Sequence, residues 1–268
     1  MSPSGPGFPV DTDAANEAGA PQLVMPGRSC SASAGVDWVS RGWALFRAAP
    51  LMWVLFFVIY LIIQVALSFV PVIGTLAGYL VAPVFAGGIA LGCRAIETGG
   101  ELELEHLFGG FRRNTANLLV VGVLYIVGGL AVLLVFGLFA GFSVVSALLV
   151  GGEDRIVESI AAASLPLILG TLVCTALFVP LMAAYWFAPM LVALHEVKPV
   201  EAMRESLFAC FRNFVAFLVY GLVMLGLLLV ALIPLGLGLL VWVPLMMAST
   251  YASYRGVFTE PAASEESR

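Results

Sequence analysis

The chain holds two histidines, and each stands beside a glutamate: Glu105-His106 and His195-Glu196. An imidazole next to a carboxylate is raw material for acid–base catalysis or for a metal site. Two such pairs on separate segments, with no H-E-x-x-H, fall short of a metal-ligand pattern, so no metal and no cofactor are expected. Cys30, Cys93, Cys174 and Cys210 form no C-x-x-C pair and read as small hydrophobes. No G-x-S-x-G, phosphate-binding loop or G-x-G-x-x-G occurs, which leaves no nucleophile–base pair in view, and an enzyme is not expected.

The most informative residues are a repeated phrase. Leu107-Phe108-x-x-Phe111-Arg112 recurs one hundred residues later as Leu207-Phe208-x-x-Phe211-Arg212, and a fainter Trp43-x-x-Phe46-Arg47 precedes both. Each leads straight into an apolar run. Leu104, Leu107, Phe108 and Phe111 fall at i, i+3, i+4 and i+7, and Val200, Met203, Leu207, Phe208 and Phe211 make the same stripe, so both segments are expected as amphipathic helices. Acids stand early in each (Glu101, Glu103, Glu105; Glu201, Glu205) and bases late (Arg112, Arg113; Arg212), an order that suits the helix dipole and brings cations to the headgroups. Trp43, Phe46, Arg47, Phe108, Phe111, Arg112, Phe208, Phe211 and Arg212 are therefore expected as interfacial anchors or lipid-headgroup contacts.

The elements that position these residues are membrane helices. The chain is 61% hydrophobic and 11% charged, with mean hydropathy +1.05, whereas soluble domains carry about 25% charged residues. Residues 48–93, 114–152, 159–194 and 213–254 contain no Asp, Glu, Lys or Arg. Each run exceeds the roughly 20 residues of one spanning helix. The first would reach about 69 Å as one helix, so it must turn back, at Pro71-Val72-Ile73-Gly74, and the last turns at Pro234 to Gly238. The expected spans are 50–70, 74–94, 117–149, 162–193, 214–233 and 236–254, with eight as the alternative if Gly128-Gly129 or Pro180 makes a re-entrant break.

The fold expected is an all-α integral membrane protein. Six transmembrane helices form three hairpins of parallel orientation, each preceded by a short cytoplasmic interfacial amphipathic helix. Pseudo-repeats cover about 36–97, 101–196 and 199–258 within a membrane domain of 36–258. Residues 1–35, rich in Pro, Gly, Ala and Ser, and residues 259–268 are expected as disordered tails, with no cleavable signal peptide. Eleven of twelve basic residues fall on one side, all but Arg155, which predicts that both termini are cytoplasmic.

Within the spans, Pro83, Pro180 and Pro244 recur as mid-membrane kink positions, freeing the carbonyls of Tyr79, Ala176 and Leu240. No ionisable residue sits mid-span. Gln64 is the least easily dismissed polar group, and an intramembrane partner on another helix is expected for it. Gly88-x-x-x-Gly92 and Gly137-x-x-x-Gly141 allow close helix approach, within the bundle or between protomers.

With Leu107-Phe108-Gly109-Gly110-Phe111-Arg112-Arg113-Asn114, Tyr251-Ala252-Ser253-Tyr254-Arg255-Gly256-Val257-Phe258, Gly42-Trp43-x-Leu45-Phe46-Arg47 and Ala82-Pro83-Val84-Phe85 in view, the chain resembles a proteobacterial family of uncharacterised multi-pass inner-membrane proteins over roughly residues 36–258. Members often carry an acid where Gly256 stands. The resemblance implies the bacterial inner membrane and carries over no catalytic residue. The function expected is non-enzymatic, an assembly or accessory component. The alternative is a lipid-handling or small-molecule carrier with a cavity between proline-kinked helices, lined by Gln64, Tyr79 and Tyr185. Expected partners are membrane lipids and a second copy or another membrane protein. Nucleic acid is not expected, because the net charge of −5 leaves no basic patch away from the membrane-flanking segments.

Overall fold

The computed structural model describes residues 22–150 and 156–259. They form helices α1 (Ala34–Ala48), α2 (Pro50–Ser68), α3 (Ile73–Glu97), α4 (Leu104–Leu107), a 3-10 turn (Gly109–Phe111), α5 (Thr115–Val150), α6 (Ile156–His195), α7 (Pro199–Arg212), α8 (Phe214–Leu232) and α9 (Leu239–Phe258). The only pairing of extended backbone among these residues is an isolated bridge, Leu23 to Thr259. The architecture is all-α and multi-pass: α2, α3, α5, α6 and α8 are each long and apolar enough to cross a membrane. α9 is less apolar because its second half carries Ser249, Thr250, Tyr251, Ser253, Tyr254 and Arg255.

The turns fall where the charge-free runs had to fold back, although the residues that make them are not all the expected ones. Val72 and, in the last run, Leu235 and Gly236 adopt positive φ. Gly74 is already helical; its importance is contact, since a Cβ there would stand 1.7 Å from the Leu67 carbonyl oxygen. α5 and α6 are continuous through Gly128-Gly129 and through Pro166, Pro180 and Pro189, so the re-entrant breaks of the eight-span alternative do not occur.

α5 and α6 stay paired along their lengths. Asn114 Nδ2 donates to the Val192 carbonyl at one end (2.9 Å), and Ser143 Oγ donates to the Ala163 carbonyl near the other (2.6 Å). This hairpin outruns its neighbours. Gly122 of α5 lies against the Leu80 carbonyl of α3. From that crossing α3 has seven residues left to its start and α5 twenty-eight to its end. At 1.5 Å per residue α5 extends roughly 30 Å further, about the thickness of a hydrocarbon core.

The segments before α2, α5 and α8 depart from a simple picture of three surface helices. α1 is wedged between α8 and α9: Gly35 meets the Ala216 carbonyl and Gly42 meets the backbone of Ser249, where a Cβ would approach to 2.4 Å and 2.6 Å. Residues 101–113 do not form one amphipathic helix. A capping box between Glu103 and His106 starts α4, which ends after four residues, and the chain tightens into the 3-10 turn at Gly109. That break lets both pieces press their backbone onto α3, with Gly88 against the His106 and Leu107 carbonyls of α4 and Gly110 of the turn against the Val84 carbonyl. α7 is a regular helix, but its buried face is Ala202, Glu205, Ser206 and Ala209, not the apolar stripe. Ser206 Oγ donates to the Ala183 carbonyl of α6 (2.6 Å) and accepts from the Phe187 amide (2.9 Å).

Of the tail expected as disordered over 1–35, residues 22–35 are held in the fold; residues 1–21 and 260–268 lie outside the described residues. Backbone bonds join Val24 to Phe258 (2.8 Å) and Arg28 to Val257 (2.7 Å). The buried Asn213 clasps the same stretch: its Oδ1 accepts from the Cys30 amide (2.6 Å) and its Nδ2 donates to the Arg28 carbonyl (2.9 Å). These bonds satisfy backbone groups that an isolated tail would leave to water.

Candidate functional site

The anchors expected from sequence separate into two kinds. Phe46 is 6% exposed and belongs to the core. It stacks on Trp43, with ring centroids 5.3 Å apart, and Trp43 is 40% exposed. Phe108 and Phe111 both pack on Phe85 of α3, at 5.9 Å and 5.3 Å. Phe208 and Phe211 are about half exposed on the outer face of α7. Arg47, Arg112 and Arg212 all stand at the end from which α2, α5 and α8 set out. Arg112 pairs with Glu105 at 2.7 Å, an exposed pair that adds little stability. Arg212 donates to the Gly27 carbonyl.

Gln64 bonds within its own helix, Nε2 to Tyr60 Oη at 2.9 Å, and its amide oxygen rests against Gly78 of α3. Tyr79, Tyr125 and Tyr185 form an aromatic ladder across α3, α5 and α6, with centroid spacings of 6.0 Å and 4.8 Å. Pro83, Pro180 and Pro244 all lie inside continuous helices. The histidines have separate roles: His106 Nδ1 accepts from the Glu103 amide (3.0 Å), while His195 bonds to the Tyr254 hydroxyl. Among the described residues no three His, Cys, Asp or Glu side chains gather in a metal-holding group.

Sequence reasoning missed where the polar groups converge. The ends of α3, α6 and α9 meet beside Thr259. There Tyr251 Oη donates to Glu97 Oε2 (2.7 Å), Arg255 Nε lies 2.9 Å from the same oxygen, and Arg255 Nη1 donates to Thr259 Oγ1 (2.8 Å). The Arg255–Glu97 approach is an ion pair by distance without an aligned hydrogen bond. Arg94, His195, Tyr254 and Arg255 enclose a pocket of about 10 Å³, room for roughly one water. A signal existed: Arg94 and Arg255 each stand eleven residues after a span proline. The partner carboxylate 154 residues from Tyr251 gave none.

Beside this junction a cleft of about 610 Å³ opens between residues 28–31, α1, the end of α3 and the end of α9. Arg28, Arg41 and Arg255 line it together with Asp37 and Glu97, over a floor that includes Trp38, Leu45 and Ile96. A second cavity, about 640 Å³, runs between α1, α8 and α9 and is lined almost wholly by apolar side chains, among them Trp43, Leu227 and Trp242. Outside the junction, Cys30 and Cys210 have thiols pushed up by burial, Cys210 to about 12.

The chain is similar to a curated protein of Burkholderia thailandensis named a probable inner membrane protein. The two are 35% identical over 257 residues, covering 87% of this chain and 94% of the relative. No family model matches the chain, and no solved structure matches it.

Proposed function

The chain belongs to the same family as this probable inner membrane protein of Burkholderia thailandensis, and on that premise we propose that it is a non-enzymatic assembly or accessory component of a bacterial inner membrane. The observation that carries the reading is the α5–α6 hairpin. Its projecting part exposes Phe142, Leu148, Leu149, Leu165 and Leu172, with Leu149 82% exposed. At Gly137 and Gly141 nothing lies within 4 Å of where a Cβ would stand, so the backbone there is open to close approach. An apolar hairpin reaching roughly 30 Å past its neighbours is longer than one bilayer crossing accommodates by ordinary tilt. Docking on another membrane protein or a second copy removes that surface from water.

The reading extends to six spans, α2, α3, α5, α6, α8 and α9, in three repeats over 36–97, 101–196 and 199–258. Support comes from three contacts of one kind. The α4 segment packs on α3, α7 on α6 and α1 on α9, so each pre-span segment docks on the second span of the repeat before it and the first closes onto the last. The basic bias supports both termini in the cytoplasm. A second reading, lipid handling, is favoured by the apolar cavity under Trp43 and Trp242. Native mass spectrometry of protein released directly from the membrane tests both. A defined complex with a second subunit is expected; monomer carrying lipid alone favours the second reading, and bare monomer contradicts both.

A further inference from the structure

We infer that the apolar cavity between α1, α8 and α9 holds a single acyl chain of a bilayer lipid, taken from the leaflet on the side of the α8–α9 turn. The site rests on the lipid reading above and narrows it to one chain in one place. The space, about 640 Å³, falls within the range of small-molecule sites, roughly 300–1,000 Å³. Helical stripes build its walls. α8 turns Val223, Leu227 and Pro234 toward the space, and α9 answers with Val241, Trp242 and Leu245. Close backbone contacts bound it at both ends. At one end, where α8 gives way to α9, Gly238 packs on Ala231 so tightly that a Cβ would approach to 2.5 Å. At the other, α1 packs on both helices, with Gly35 against Ala216 and Gly42 against Ser249. The lining residues of α8 and α9 all fall between these two sets of contacts.

The bounded length selects the occupant. The α8 wall runs eleven residues from Val223 to Pro234, about 16 Å at the helical rise. That is half of a hydrocarbon core of roughly 30 Å, the depth of one leaflet. One acyl chain reaches through one leaflet. A partner's spanning helix is twice as long and about 10–12 Å across, so it would run onto α1 before completing its crossing. The chemistry of the walls agrees. Among the described residues no charged side chain lines the space, and Trp242 Nε1 already donates to the Met224 carbonyl (2.9 Å). An occupant that needs a counter-charge gains nothing there, and water finds too few polar partners. One side opens toward the bilayer, where Val230 is 62% exposed. Moving a chain from lipid to such a wall brings little hydrophobic gain, since lipid tails are equally apolar. Dispersion retains it instead, because an empty space forfeits the contacts of every wall atom that faces it. A chain walled by three helices therefore leaves more slowly than lipid on the outer face of α8.

Photolabelling of the full-length protein in phosphatidylcholine vesicles tests the site, with a phosphatidylcholine carrying a mid-chain diazirine as the probe. Adducts are mapped by peptide mass spectrometry. Leu222 and Leu229 on α8 are each 61% exposed and line no part of the cavity, so they report bulk lipid. Adducts at Leu227 and Val241 are expected at least about threefold above those at Leu222 and Leu229, although the two lining residues are the less exposed. V223W, which fills the space, is expected to lower adducts at Leu227 and Val241 about fivefold and to leave Leu222 and Leu229 unchanged. The wild-type comparison decides the matter by itself should V223W fail to fold. Equal labelling of lining and bulk-facing residues overturns the inference, as does a photoreactive residue at Leu227 that captures a protein rather than lipid. Native mass spectra separate two failures. Lipid retained without enrichment in the cavity overturns the site and leaves lipid handling standing, whereas no retained lipid and no enrichment overturns both.

Discussion

The hydroxyl of Tyr251 on α9 donates a 2.7 Å hydrogen bond to the carboxylate of Glu97 on α3, tying the last helix of the chain to an early one. The same oxygen faces Arg255. A bond to an ionised acceptor in a partly buried setting contributes about 1.5–3 kcal/mol. Tyr251→Phe is therefore expected to lower stability by about that amount in detergent unfolding followed by tryptophan fluorescence. Glu97→Ala is expected to cost more, about 3 kcal/mol, because it leaves the Arg255 charge without its carboxylate.

Gly42 and Gly221 make opposite predictions for the same substitution. A Cβ at Gly42 would stand 2.6 Å from Ser249, so Gly42→Ala has to push α1 off α9, at a cost of about 1–3 kcal/mol. At Gly221 nothing lies within 4 Å, and Gly221→Ala is expected to be neutral or to stabilise α8 by up to about 1 kcal/mol. Equal melting temperatures for the two variants would contradict the docking of α1.

Cys210 gives a pH dependence with a definite sign. Its folded thiol is pushed up to about 12 from an ordinary value of 9.0 by burial. Above pH 9 the unfolded thiol ionises while the folded one keeps its proton, so the unfolded state binds fewer protons and stability falls as pH rises from about 9 toward 12. Cys210→Ala is expected to flatten that alkaline slope, read as melting temperature against pH relative to wild type. Slow maleimide labelling of Cys210 at pH 7 follows from the same shift.

Orientation has its own test. In a cysteine-free background, single cysteines at Val72 and Leu235, both exposed turn residues, are expected to react with an impermeant maleimide in cells whose inner membrane is intact. A cysteine at Arg113 is expected to react only after that membrane is opened. The reverse pattern would place the termini outside.

The helix layout was legible because a charge-free run longer than one bilayer crossing has to turn, and Pro71 and Pro234 stand where α2 and α8 give way. What each helix faces was not. An apolar stripe reads the same whether it meets lipid or protein. On α7 the large side chains Phe208 and Phe211 face outward while Ala202, Ser206 and Ala209 pack on α6. That follows from membrane packing, where small residues let backbones close and lipid receives the bulky ones. On α1 the large residues Trp38 and Phe46 are buried, Trp38 against the rings of Phe217 and Tyr220 on α8. The Glu97 junction and the arginine cleft unite residues far apart in sequence, a proximity that no local pattern encodes.

The assembly role is tested most directly by photocrosslinking from the projecting hairpin in living membranes. A photoreactive residue at Phe142 or Leu165 is expected to form a discrete protein adduct, either with a second copy or with one other membrane protein, and to do so more efficiently than the same residue at Leu222 on α8. Adducts with lipid alone at both hairpin positions, at the level seen from Leu222, would contradict it.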